Sequence, residues 1–156
     1  MMTSVRLERW EDLCSSELAQ EWNALVDRSG ANEIFSRVEW LRAWGRSNIR
    51  EASPDLVLLR DEGRLVGIAP LIRARRRFCG IQARTVEFAG APNSDCSDFI
   101  YEDARYLEPL WALARQAAGS ADLLRLQQIR RDSPTCRFMT QRSEERRVGK
   151  ECRSRW

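Results

Sequence analysis

The chain has 156 residues, 43% of them apolar, which suits one packed domain and excludes a chain too polar to fold. The formal net charge is +3, but six basic and three acidic side chains fall in residues 141–156, "QRSEERRVGKECRSRW", leaving residues 1–140 with twenty of each sign. A neutral body lacks the long-range field expected of a nucleic-acid or anionic-membrane binder.

In chain order, "SVRLERW" begins with alternation and predicts a short strand near residues 4–9. "SSELAQEWNALVDRSG" predicts an amphipathic helix: Ser15 or Ser16 caps it, Leu18, Trp22, Leu25 and Val26 form its apolar face, and Gly30 stops it. "IFSRVEWLRAWGRSN" predicts a second helix, capped at Ser36 and ended by Gly45. Its tryptophans are read as core, because each ring hides a large apolar area.

"DLVLL", the turn "RDEGR" and "RLVGIAPLI" predict a hairpin over residues 55–73. Gly67 and Pro70 should disturb the return strand, giving a bulge or an edge at 67–70. Arg73, Arg75, Arg76 and Arg77 then read as a solvated rim at a strand end. "RTVEFAG" is a third core strand, with Glu87 on its solvent face, and "GAPNS" stops it. "DCSDFIY" is a short strand. "DARYLEPLWALARQAAG" is a helix starting near residue 107, where Pro109 fits the first turn. "ADLLRLQQI" is a strand, and "RDSPTCRFM" opens a helix capped by Asp132 or Ser133. The fold class expected is α/β, with a mixed, largely antiparallel sheet flanked by helices.

Several chemistries are absent. With no histidine, the chain holds no Ser-His-Asp or Cys-His arrangement. The five cysteines, Cys14, Cys79, Cys96, Cys136 and Cys152, form no CxxC pair, so no metal site is expected and the thiols read as free and mostly buried. No apolar run reaches the length of a membrane span, and "MMTSVRLERWEDL" has no signal core, so a cytoplasmic location is expected.

Five segments in order carry a family resemblance. They are "EWNALVDRSG", "IFSRVEWLRAW", "LLRDEGRLVGIAPLIR", "EFAGAPNSDCSDFI" and "DLLRLQQIRRDSPT". Together they resemble the N-terminal part of the CelD-type acetyltransferases associated with cellulose biosynthesis, a branch of the GNAT-like acyltransferases. The resemblance covers about residues 5–140. It implies a GNAT-like fold that is truncated. Residues 141–156 separately resemble translated adapter or vector sequence, a non-native basic tail; the alternative is a real, solvated tail. The family resemblance further implies acetyl-CoA as co-substrate of the intact protein, and an amine or sugar-linked acceptor, either a small molecule or glycan-linked.

A GNAT-like protein holds its donor's pyrophosphate on backbone amides of a strand-loop-helix. "RRRFCG" follows a strand without a helix after it, and "RRVGK" has no strand before it. No tight acetyl-CoA binding is therefore expected of this chain, and its coenzyme-binding residues are not assigned.

For acid–base chemistry the best candidates are Asp95 and Asp98, in the loop after Gly90 and Pro92. By resemblance they line a substrate cleft. The plainer alternative has Asp95 capping a turn and Asp98 exposed. Tyr101 is a candidate proton donor or a packing residue. The competing function is a non-catalytic protein- or glycan-binding module that docks through the hairpin and Arg73–Arg77.

Overall fold

The computed structural model describes residues 1–30, 33–91 and 93–151. Pro92 and Cys152 lie outside the described residues, as does the rest of the tail after residue 151. The strands are β1 (Met2–Leu7), β2 (Ala52–Pro54), β3 (Leu56–Asp61), β4 (Arg64–Ala69), β5 (Leu71–Phe78), β6 (Ile81–Phe88), β7 (Ile100–Tyr101) and β8 (Leu123–Arg125). The helices are α1 (Ser16–Arg28), α2 (Val38–Asn48), α3 (Leu107–Ala117) and α4 (Pro134–Glu151). The strands form two four-stranded sheets, β1-β3-β4-β7 and β2-β5-β6-β8. Only β6–β8 pairs parallel among the described strands, so the sheet is mixed and largely antiparallel, as the sequence predicts.

The two sheets share one long hairpin. Val57 pairs with Ala69 in β3–β4, and Pro54 pairs with Ile72 in β2–β5, in the same register. Between them the Asp55 N–H donates to the Leu71 carbonyl at 2.9 Å. The ladder breaks at this level because Pro54 and Pro70 carry no amide hydrogen. On the far side, the strand running from 64 to 78 has two successive neighbours. β6 flanks its second half, ending with the Ala89 N–H on the Pro70 carbonyl at 2.7 Å, and β7 flanks Gly67 and Ile68. The sheet therefore forks beside Pro70.

The hairpin turn places Glu62 at φ 50° and Gly63 at φ 83°, a pair of left-handed residues that matches the strands' twist. A bulge does occur in β4, but one residue before the stretch expected at 67–70. Leu59 pairs with Gly67 and Arg60 with Leu65, so Val66 is the extra residue. Leu65 and Ile68, three apart rather than two, consequently share the core under α1 and α2, while Val66 packs under α3. Two apolar clusters thus cover the two faces. One gathers Trp22, Leu25, Val38, Leu41, Leu58 and Ile72; the other gathers Val66, Leu71, Phe88, Phe99 and Leu110.

Local differences from the sequence reading have physical causes. β1 runs over residues 2–7, and a 3₁₀ turn, Trp10–Cys14, follows it. α2 continues past Gly45 to Asn48, and Arg37 rather than Ser36 precedes its first turn, with no side-chain cap. Gly45 is there for contact rather than termination: a Cβ on it would lie 2.6 Å from the Trp10 ring. α1 and α3 match, with Ser15 Oγ accepting from the Leu18 N–H. The strand expected over 121–129 shortens to Leu123–Arg125, because Gln128 turns left-handed at φ 62°. Ser133 Oγ accepts from the Cys136 N–H and caps α4.

The arginine cluster and Glu87 require correction. Arg75 and Arg77 are exposed in the outer half of β5, as expected, but Arg73 and Arg76 are half-buried in ion pairs with Asp55 and Glu87. Glu87 is 3% exposed, not solvent-facing; it accepts from Arg76 Nε at 2.7 Å and lies 3.7 Å from Arg125 Nη1. The fully buried Asp55 is likewise held by two arginines, Arg6 and Arg73, the latter at 2.9 Å. The described cysteines are free but not mostly buried: Cys14 and Cys79 are exposed, and Cys96 and Cys136 are half-buried.

Candidate functional site

The loop that leaves β6 and returns as β7 crosses the fork, and its shape is fixed from below. Gly90 adopts φ 92° and lies so close to Trp40 that a Cβ would meet its ring at 2.3 Å. Trp44 Nε1 donates to Asn93 Oδ1 at 3.1 Å, and Ser94 Oγ lies 2.8 Å from Ser97 Oγ. The Ser97 N–H donates to the Gln128 carbonyl at 3.1 Å, tying this loop to the segment before α4. The tryptophans of α2, predicted as core, thus also shape the site loop.

Above the fork lies a cleft of about 320 Å³, within the size range of small-molecule sites. Its charged lining comprises five acids, Glu33, Asp98, Glu102, Asp103 and Asp132, against one arginine, Arg130. Arg130 is engaged by Glu33 at 3.2 Å and Asp132 at 3.0 Å. Glu102 is paired with Arg28 at 3.2 Å and also with Arg64. Asp98 and Asp103 have no ion-pair partner among the described residues, so the cleft retains negative charge. A smaller cavity of about 20 Å³ lies beneath, lined by Trp22, Pro70, Ala89, Asp98 and Ile100, and places Asp98 directly over the fork.

Asp98 is half-buried, and burial pushes its carboxyl above the ordinary carboxylate value. Hydrogen bonds from Thr135, Ser133 and the Phe99 N–H oppose that rise without cancelling it. Thr135 also lies 3.1 Å from the Tyr101 hydroxyl, so Tyr101, Thr135 and Asp98 form a connected chain at the N-terminus of α4. Burial raises the Tyr101 phenol as well. Cys96 borders the same cleft, and its thiol is pushed up by burial and by Glu33, which keeps it protonated rather than nucleophilic.

Of the two predicted aspartates, Asp98 lines this cleft, while Asp95 is exposed and is not among its lining residues. Tyr101 joins Asp98 there. Thr135 and Ser133 were read only as part of a helix start; the signal for their role was the Asp-Ser-Pro-Thr run, whose cap geometry aims hydroxyls at the loop. Among the described residues no three cysteine or acidic side chains gather to ligate a metal. No helix among them is long and apolar enough to cross a membrane. Neither basic glycine segment forms a loop between strand and helix: Arg75–Gly80 ends β5 and turns into β6, and Arg146–Lys150 lies inside α4.

No family model matches the chain, and no curated protein does. Among solved structures, the chain is similar to a ribosomal-protein-alanine N-acetyltransferase from Brucella melitensis biovar Abortus 2308, with 15% identity, TM-score 0.46, and 90% of each chain covered. It is similar to the aminoglycoside acetyltransferase meta-AAC0020 from an uncultured soil metagenomic sample, solved with sisomicin, with 13% identity, TM-score 0.46, and 90% of this chain and 86% of that one covered. It is also similar to a transcriptional regulator from Bacillus halodurans C-125, with 16% identity, TM-score 0.43, and 90% and 91% covered.

Proposed function

We propose that residues 1–140 are the acceptor-binding part of a GNAT-like acyltransferase that moves an acyl group from a coenzyme A thioester to an amine, with residues 141–156 foreign to it. The observation that carries this reading is Asp98: a carboxyl of raised proton affinity, half-buried in an acid-lined cleft at the fork of the sheet. Negative potential there draws a protonated amine in. Asp98 then takes a proton from the ammonium, and its raised value makes it a better base than an ordinary carboxylate. The freed nitrogen lone pair forms a bond to the thioester carbonyl carbon, and the carbon–sulfur bond breaks, with the thiolate leaving to be protonated. Tyr101, a hydroxyl lining the cleft, supplies that last proton, and Thr135 connects it to Asp98.

No strand-loop-helix cradle for the donor's pyrophosphate is among the described residues; the acidic cleft is read as the acceptor half. The chain is therefore tested first by calorimetric titration with a small polyamine at low ionic strength. Saturable binding that falls about tenfold in Asp98→Asn is expected, the scale of one charge-assisted contact. Absence of binding to any cationic amine would remove the reading. This truncated chain is expected to be inactive in acyl transfer; transfer by the untruncated parent, followed as thiol released from acetyl-CoA, separates the reading from the alternative of a non-catalytic protein- or glycan-binding module. By resemblance, the acceptor of the intact protein extends to sugar-linked amines of exopolysaccharide or cellulose synthesis.

A further inference from the structure

A second cavity, of about 660 Å³, shares no lining residue with the acidic cleft and has the opposite charge. Five arginines line it, Arg50, Arg73, Arg75, Arg76 and Arg84, against one acid, Glu51. Ion pairing does not neutralise them. Asp55 is one carboxylate between two guanidiniums, Arg6 and Arg73; Glu87 is one between Arg76 and Arg125. Glu8 also pairs with Arg6 at 3.5 Å, so the Asp55 group is balanced, whereas the Glu87 group keeps one surplus positive charge. Arg84 is balanced by Asp122 at 3.0 Å. Arg50 and Arg75 are exposed and have no ion-pair partner among the described residues. Ser120 Oγ accepts from Arg73 Nη1 at 2.8 Å, which leaves its own hydrogen free to donate into the cavity.

We infer that this cavity is a binding site for a small phosphate-bearing molecule with at least two phosphate charges. Arg50, Arg75 and the excess guanidinium at Glu87 outweigh Glu51, so the cavity keeps a net positive charge and a multiply charged anion gains more than a monoanion. Guanidinium groups present planar paired donors that match phosphate oxygens. The volume is that of a small-molecule site. No aromatic side chain lines the cavity on which a base could stack, which disfavours single-stranded nucleic acid. The buried carboxylates fix Arg73 and Arg76 in place, so the ligand need not order them. Arg50 and Arg75 are the arms that engage it.

The test titrates the full chain with inorganic pyrophosphate at low salt, by calorimetry and by phosphorus-31 line broadening. One-site saturable binding is expected, weaker for orthophosphate and about tenfold weaker for each of Arg50→Ala and Arg75→Ala. Arg77→Ala, an exposed arginine of β5 outside the lining, serves as the control and should bind as the parent does. Since Arg50 and Arg75 hold no ion-pair partner among the described residues, both variants should melt at the parent's temperature. Three results each overturn the inference: no saturable pyrophosphate binding, equal weakening by Arg77→Ala, or binding seen only with a long oligonucleotide.

Discussion

Two kinds of acidic side chain are distinguished at the scale of single residues. Glu87 and Asp55 are buried and each is held by two arginines, so they are structural anchors. Asp98 is half-buried and has no ion-pair partner among the described residues, so burial outweighs the hydrogen bonds that oppose it. Glu87→Gln should therefore cost about 3 kcal/mol in urea denaturation, because two guanidiniums lose their shared counter-charge; adding Arg76→Met should restore part of it. For Asp98 the sign is opposite. Its folded value lies above the ordinary 3.8, so the folded state holds the proton more tightly than the unfolded chain does. Stability is then greatest below 3.8 and declines as pH rises through the raised value. Asp98→Asn should remove that decline and melt higher than the parent at neutral pH, while in the untruncated protein it lowers acyl transfer by roughly a hundredfold or more. A merely structural aspartate would give a lower melting temperature instead.

At the scale of elements, β8 is short and lies at the parallel edge of its sheet. It is three residues long, and Asp122 just before it binds both the Arg84 amide at 2.8 Å and the Arg84 guanidinium. Those bonds lower the Asp122 carboxyl to about 2. The stabilisation they give is present above the ordinary 3.8 and is lost as pH falls through about 2. Asp122→Asn should flatten that acid limb, read as the exchange rate of the Leu124 amide. The shortness of β8 also marks where sequence stops being legible. Periodicity showed the hairpin, α1 and α3, because their apolar spacing is dictated by burial on one face. It overextended β8, because a left-handed Gln128 leaves no mark in composition. It misread Glu87, because alternation tells which face a residue takes but not whether arginines cover that face. Asp98 was singled out from its loop and the resemblance, yet its neighbours Ser133 and Thr135 come from a segment more than thirty residues on, and no local pattern joins them.

Over the whole molecule, two clusters of apolar side chains cover opposite faces of the sheet, and two charged hollows of opposite sign lie apart on its surface. This polarity is invisible in the net charge of the body, which sums to zero over residues 1–140. Arginine is the only cation in that body, which suits fixed, paired geometry better than a lysine's mobile point charge.

The missing amides of Pro54 and Pro70 have a mechanical outcome. A hairpin bonded without interruption would straighten, and β6 and β7 would be drawn alongside each other against it. Two imino acids thus act as a spacer that props the acidic mouth ajar. Pro70→Ala should lengthen the ladder, narrow that aperture and weaken amine binding, although no charged group has been touched.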